Sequence, residues 1–349
     1  MLHRHGHMAA GALGAWLLAM PAALAGDAAA TLACPHNPAA MGTARTIEVA
    51  TTGGGDIGTL QYATTLQLAP KELVLTFDDG PNPEHTPKIL DALDAHCIKA
   101  TFFVVGRYAE LHPDIVAETF RRGHTIATHT WSHPNLARMT RRAAERQIAR
   151  GMEAARAALA GITDAAGEPA RVAPFFRFPG LNHTAHLRGW LAGQDIATLS
   201  CDIGTDDWRP ISPWRLKQRA LSMIEARGSG LVIFHDTQAR TSSMLPQILD
   251  ELARRGYRAV HMVPGTGTGS SASTAIARAR APTRPVPATP RTAPYRAEPQ
   301  AHETLWADRL ATARKADALT ARALADARAA ARAGSGEGSA PALRQTLPR

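Results

Sequence analysis

The chain has 349 residues, 45% of them hydrophobic, and a formal charge of +9. It can bury a full core in one domain of roughly 200 to 250 residues with extensions, which excludes a string of small modules. Residues 265–349 hold thirteen Lys and Arg against six Asp and Glu, so +7 of the charge lies there; the rest of the chain has no strong basic field, and no nucleic-acid partner is expected.

Met1 to Ala25 reads as an export signal: Arg4 in a short basic region, an apolar run from Met8 to Met20, then Pro21 and Ala23-Leu24-Ala25 before Gly26. The run is shorter than the ~20 residues a membrane span requires, so the mature chain is expected to begin near Gly26 without a transmembrane span, in the periplasm or outside the cell. Of the three cysteines, Cys201 falls in a predicted core strand, where a buried thiol is the ordinary occupant. Cys34 and Cys97 are then the expected disulfide, which export permits.

Residues 26–70 are rich in Thr, Gly and Ala and are expected to form an arm, with a short strand at Thr46–Val49 broken by Gly53-Gly54-Gly55. A catalytic domain is expected over 71–264. Its first strand, Leu73–Phe77, delivers Asp78-Asp79 onto the turn Gly80-Pro81. Helical periodicity follows from Glu84 to His96, and Ala100–Val105 is too apolar to face water on either side, as in a parallel sheet. The alternation continues with helix Pro113–Arg122, strand Thr125–Thr128, helix Thr140–Leu159, strand Pro174–Phe178 and helix Thr184–Ala192. Strand Ile196–Cys201, helix Ser212–Arg227, strand Leu231–Phe234, helix Ser243–Arg254 and strand Tyr257–Met262 complete it, with Ser212 as a cap and Pro213 at the first helical position. About seven strands alternating with helices imply an α/β architecture, open or barrelled. Beyond residue 264 the chain becomes a Gly/Ser/Thr and then Pro-rich linker, followed by an Ala/Arg-rich segment at 304–332 with few apolar anchors, and is expected to be a largely disordered basic tail.

The strand ends carry the chemistry. Asp78-Asp79 follows the first strand, His129-Thr130-Trp131-Ser132-His133 the third, and Asp206-Asp207-Trp208 the fifth; Arg177-Phe178-Pro179 closes the fourth and His235-Asp236 the sixth. In a parallel α/β fold these ends converge on one face. Two adjacent carboxylates resist joint ionisation unless a cation or hydrogen bonds compensate. Two histidines four apart with one carboxylate make a two-His, one-carboxylate metal site with positions open for water. Arg177 could keep a base carboxylate ionised and oriented, and His235, beside Asp207, could be held as imidazolium and donate a proton. Trp131 and Trp208 read equally as packing or as apolar walls against a sugar ring.

Taken together, Thr76–Pro81, His129–His133, Arg177–Pro179, Asp207-Trp208 and Leu231–His235 resemble, in order and character, the motifs of the polysaccharide deacetylases, the NodB-like domains of carbohydrate esterase family 4. The resemblance covers roughly Glu72 to Val263. It implies a distorted (β/α)7 barrel with one divalent metal, zinc foremost, with cobalt, manganese or nickel as alternatives. It assigns Asp79, His129 and His133 to the metal, Asp78 as general base steered by Arg177, and His235 as general acid tuned by Asp207. Leu231 and Ile233 would line a pocket for the acyl methyl. Gly180 stands where the family often carries an aromatic residue whose backbone N–H helps hold the oxyanion; a glycine N–H can still donate, but the wall is lost. Asp206 beside Asp207 leaves open which of the two meets His235.

The resulting expectation is a metal-dependent hydrolase that removes N-acetyl groups from amino sugars of an envelope or extracellular polysaccharide, its basic tail touching anionic envelope polymers. An O-acetyl esterase or deformylase on the same site, or a non-catalytic glycan-binding envelope protein, are the alternatives.

Overall fold

The computed structural model describes residues 34–265 and the backbone of a strand at 276–278. The expected export signal and the expected helix at 304–332 lie outside the described residues, as does most of the tail. Three strands come first: β1 (Thr43–Val49), β2 (Gly55–Ile57) and β3 (Thr64–Leu66). β4 (Glu72–Asp78), α1 (Thr86–Ala95), β5 (Thr101–Val104), α2 (Gly106–Leu111), α3 (Pro113–Arg121) and β6 (Thr125–Thr128) follow. Then come α4 (Arg141–Ala158), β7 (Phe175–Phe176), α5 (Ala185–Ala192), β8 (Ala197–Leu199) and β9 (Ile203–Gly204). The series ends with α6 (Pro213–Arg227), β10 (Gly230–His235), α7 (Ala239–Arg254), β11 (Arg258–Pro264) and β12 (Ile276–Arg278).

The continuous apolar run of β4 is explained by burial on both faces. Leu73, Leu75 and Phe77 pack outward against Ile89 and Leu93 of α1 and Leu245 and Leu249 of α7. Val74 turns inward to a second cluster with Ile57, Leu199, Leu231 and Val260. Thr76 and Asp78 continue that inward row, so the strand's period of two delivers a carboxylate to the top of the interior. β4 pairs in parallel with β5, β10 and, at its lower end, β11; β5 to β8 continue in sequence, and β9 pairs with β10. All these pairings are parallel, so the carboxyl ends share one face.

The arm is built into the sheet. β1 pairs in parallel with β11, and β2 with β8, on the side where β8 and β9 do not pair. Asp202, between β8 and β9, ties this segment down: its carboxylate accepts from Thr59 N (2.9 Å), Thr59 Oγ1 (2.7 Å), Thr65 Oγ1 (2.6 Å) and Leu231 N (2.9 Å). The Cys34–Cys97 disulfide is present, with a Cα–Cα distance of 5.5 Å, and Cys201 is a buried free thiol.

Ser212 caps α6 as expected, accepting from Arg215 N, with Pro213 in the first turn. Two helices depart from expectation. α2, six residues long, is too short for apolar periodicity to register. α7 begins at Ala239 rather than Ser243 because its first turn buries Thr241 and Ser242, polar residues that interrupt the apolar pattern. No helix among the described residues is long and apolar enough to cross a membrane.

Replacing Asp202 with Ala would strand four donors in a buried seam. Urea denaturation of Asp202→Ala is expected to show a loss of about 3 to 5 kcal/mol; a loss under about 1 kcal/mol would mean that water replaces the carboxylate.

Candidate active site

Asp78 and Asp79 leave β4 in opposite directions because Asp79 takes a positive φ of 81°. The residue after them must be glycine: a Cβ on Gly80 would stand 2.0 Å from Asp236 Oδ2. Asp78 points inward. Its Oδ1 accepts from Arg177 Nη1 at 2.6 Å, and Arg177, fully buried, also donates to Thr76 Oγ1 (2.8 Å), Ser200 O (2.8 Å) and Leu199 O (3.3 Å). The guanidinium lies 4.1 Å from the Phe103 ring centroid. Asp78 Oδ2 is the oxygen that faces His129, with Nε2 at 3.9 Å.

Asp79 turns toward the histidines. Its Oδ1 is 3.4 Å from His129 Nε2 and 3.2 Å from His133 Nε2, and the three ligand atoms lie within 4.8 Å of one another. His129 Nδ1 stands 2.7 Å from the Arg177 carbonyl oxygen, which can only accept, so Nδ1 carries the proton and Nε2 presents a lone pair. Asp79 Oδ1 is buried without a hydrogen-bond partner. Burial pushes the Asp79 carboxyl upward, but His133, His129 and His235 outweigh it and hold it well below the usual carboxylate range. Burial lowers His133 below its ordinary value despite Asp79, favouring neutral imidazole. Tetrahedral ligands about 2.1 Å from a small divalent cation stand about 3.4 Å apart, so these donors fit one.

The histidine loop is held from behind by α4. Trp131 N donates to Gln147 O (2.9 Å), and Gln147 Oε1 accepts from Ser132 N and Oγ at 3.1 and 3.2 Å. Gly151 permits the approach, since a Cβ there would meet the Thr130 carbonyl carbon at 2.4 Å. A mid-helix glycine costs about 1 kcal/mol relative to Ala, and here it seats the loop that carries His129 and His133.

On the other side of the bowl, His235 is clamped by Asp207. Nδ1 lies 2.6 Å from Asp207 Oδ1, and the His235 backbone N–H donates to Oδ2 at 2.7 Å, where Thr241 Oγ1 also donates at 2.6 Å. Asp206 turns away to Arg219 and Arg209, so Asp207 is the carboxylate that meets His235. Burial disfavours the imidazolium, yet Asp207, with Asp79 and Asp78 behind it, raises His235 to about 10.

Of the remaining predicted residues, Gly180 is exposed in the turn after Phe178, and Ile233 is partly buried one inward position below His235. Leu231 is completely buried below Ile233 rather than at the surface of the bowl. Trp208 is 42% exposed, whereas Trp131 has the Arg150 guanidinium 3.5 Å from its ring centroid and packs near Gly106. Sequence reasoning assigned nothing to Asp236. It sits beneath Gly80, accepts from Thr86 Oγ1 (2.7 Å), and donates its N–H to Asp78 O (3.1 Å). Burial, with Asp79 and Asp78 nearby, raises its carboxyl to about 7. The adjacent Gly80 was the available signal.

The profile of the polysaccharide deacetylase family matches residues 66–192. A peptidoglycan-N-acetylglucosamine deacetylase of Bacillus cereus is 33% identical over 203 residues, 57% of this chain and 70% of the relative. The chain belongs to the polysaccharide deacetylase family. A chitooligosaccharide deacetylase of Rhizobium leguminosarum bv. trifolii is 46% identical over 177 residues, 48% of this chain and 72% of that protein. Among solved structures, a peptidoglycan deacetylase of Bdellovibrio bacteriovorus superposes with a TM-score of 0.56 at 30% identity, covering 67% of this chain and 63% of its own. The fold is the family's distorted (β/α)7 barrel, the chain is a hydrolase of carbon–nitrogen bonds other than peptide bonds, and deacetylases of this family are in general metal-dependent.

His235's elevation sets a sign. Its folded value of about 10 lies above the ordinary 6.5, so the pair contributes stability that is complete below about pH 6.5 and lost as pH rises through about 10. In Asp207→Asn the alkaline limb of the pH dependence of kcat/KM is expected to move down toward neutrality. An unshifted limb would detach Asp207 from His235's protonation.

Proposed function

We propose that this chain is an exported N-deacetylase of amino-sugar polysaccharides, with Asp79, His129 and His133 holding a zinc ion. The reading is carried by one observation: a converging donor set flanked by a carboxylate on an arginine and a histidine on a carboxylate. A divalent cation held there supplies Lewis-acid polarisation of the amide carbonyl and makes a water molecule more acidic.

The chain's own groups do the rest. Arg177 fixes Asp78 through Oδ1, which leaves Oδ2 free to take the proton of a water placed beside His129. The water oxygen adds to the acetyl carbonyl carbon. We assign the Gly180 N–H as donor to the negative charge that develops on the carbonyl oxygen. His235, protonated at neutral pH, gives its Nε2 proton to the amide nitrogen as the C–N bond breaks. Acetate and a free amino sugar leave, and the proton on Asp78 restores the acid. Asp207 keeps the His235 ring in the tautomer that donates outward. Ile233, partly buried below His235, forms the floor on which the acetyl methyl rests.

The activity is tested by acetate release from acetylated chitooligosaccharide, peptidoglycan and acetylated xylan, with and without chelator and with zinc restored. Release from the first two, abolished by chelator and recovered with zinc, is expected; release from xylan alone would make the chain an O-acetyl esterase. Asp78→Asn and His235→Ala should each lose at least ~100-fold in kcat while binding one equivalent of zinc by calorimetry. Residual activity of tens of per cent in either would remove that residue from its role.

A further inference from the structure

The turn between β2 and β3 runs beside the β8–β9 connection and carries an apolar side chain there. Gly58 opens the turn with a φ of 110°, and its lack of a Cβ lets the chain lie against Cys201, whose backbone N a Cβ would meet at 2.7 Å. Leu60 N donates to Cys201 O (2.9 Å), and Tyr62 N donates back to Gly58 O (3.0 Å). On the other flank Gln61 Nε2 donates to Leu181 O, next to Gly180, and the Tyr62 ring centroid lies 5.4 Å from that of His183. With Thr59 on Asp202, the turn is fastened both to the chain between β8 and β9 and to the Gly180 loop.

Leu60 itself is 54% exposed. A single exposed leucine is ordinary; what distinguishes this one is the backbone beneath it. β9 and β10 pair in parallel, with Ile203 opposite Val232 and Gly204 opposite Ile233. Ile203 and Val232 belong to the outer cluster, so by alternation Gly204 and Ile233 face the interior. Thr205 Oγ1 fastens this end of the pair by donating to Ile233 O at 2.8 Å. A methyl group on the inward side of Gly204, where a Cβ would stand, meets Leu60 Cδ1 at 3.8 Å, an ordinary van der Waals contact. Apart from residues 203 and 205 it meets nothing else within 4 Å. Neighbouring strands lie about 4.8 Å apart, so this space stands side by side with Ile233, one inward position below His235.

We infer that Leu60, contributed by the arm, is a wall of the acyl pocket and that the missing side chain of Gly204 is the gap it closes, so that the chain accepts an acetyl group and rejects a longer acyl chain. The inference rests on the N-deacetylase reading for the identity of the acyl amide, and it adds to that reading a limit on acyl length set from outside the strand-end motifs. Leu60 is a specificity residue and takes no part in proton transfer.

The test compares wild type, Leu60→Ala and Gly204→Ala on glucosamine oligomers carrying N-formyl, N-acetyl or N-propionyl groups, with release of the free acid measured. Leu60→Ala should raise the ratio of kcat/KM for N-propionyl over N-acetyl about tenfold, the scale of one methylene in an apolar pocket. Gly204→Ala puts a methyl into the space itself and should lower the ratio for N-acetyl over N-formyl about tenfold, through KM. Gly204 does not take a positive φ, so alanine suits its backbone; should that variant fail to fold, Leu60→Ala decides. An acyl-length profile in Leu60→Ala identical to wild type, or an equal loss on formyl and acetyl substrates in Gly204→Ala, overturns the inference. If wild type releases no acid from any of the three, the deacetylase reading fails, and calorimetric binding of the same oligomers then decides the wall. A wild-type preference for N-acetyl over N-propionyl that Leu60→Ala abolishes supports it, and the same preference in both proteins, or none in wild type, removes it.

Discussion

Two opposite charges, Asp78 and Arg177, meet at 2.6 Å with no more than 2% of either side chain exposed. Desolvating both is expensive, and such a pair persists only when its geometry is good and its remaining donors are used. Arg177 uses them on Thr76, Leu199 and Ser200, which belong to strands β4 and β8 and to the chain just beyond β8. The pair therefore gauges the correct assembly of the barrel interior, and its carbonyl oxygen also sets the tautomer of His129. The Asp78 side and the histidine side of the site thus share one residue.

That coupling accounts for two neighbouring carboxylates serving different ends. A positive φ at Asp79 sends its side chain away from Arg177 and toward two imidazoles, and Gly80 lets Asp236 occupy the space beneath. On the neighbouring strand, in register with Asp78, Asp207 does for His235 what Arg177 does for Asp78, using Thr241 and the His235 backbone to fill its second oxygen. A carboxylate held by an arginine and, in register on the adjacent strand, a histidine held by a carboxylate give the asymmetry that the proposed amide hydrolysis uses.

The supports lie in parts of the chain without chemical signatures. The arm reaches the sheet beside β8, where β2 pairs and Asp202 gathers four donors. Gln147 and Gly151 hold the histidine loop from a helix rich in Ala and Arg.

By itself the sequence determined the alternation of strands and helices, the caps, and the inventory of acids, imidazoles and arginine at successive strand ends. These depend on residue type and short spacing, so they are legible without a partner. What the sequence left open was direction. Asp206 and Asp207 are chemically alike, and only a turn that sends Asp206 to Arg219 leaves Asp207 facing His235. Leu231 and Ile233 share a strand face, but depth in the barrel decides that one is sealed and the other near the surface. Trp131 could read as a sugar wall until Arg150 is found against its ring. The type of chemistry is local, whereas the aim of each side chain depends on dihedral angles and on partners such as Arg177, 99 residues from Asp78, that only the assembled barrel brings near.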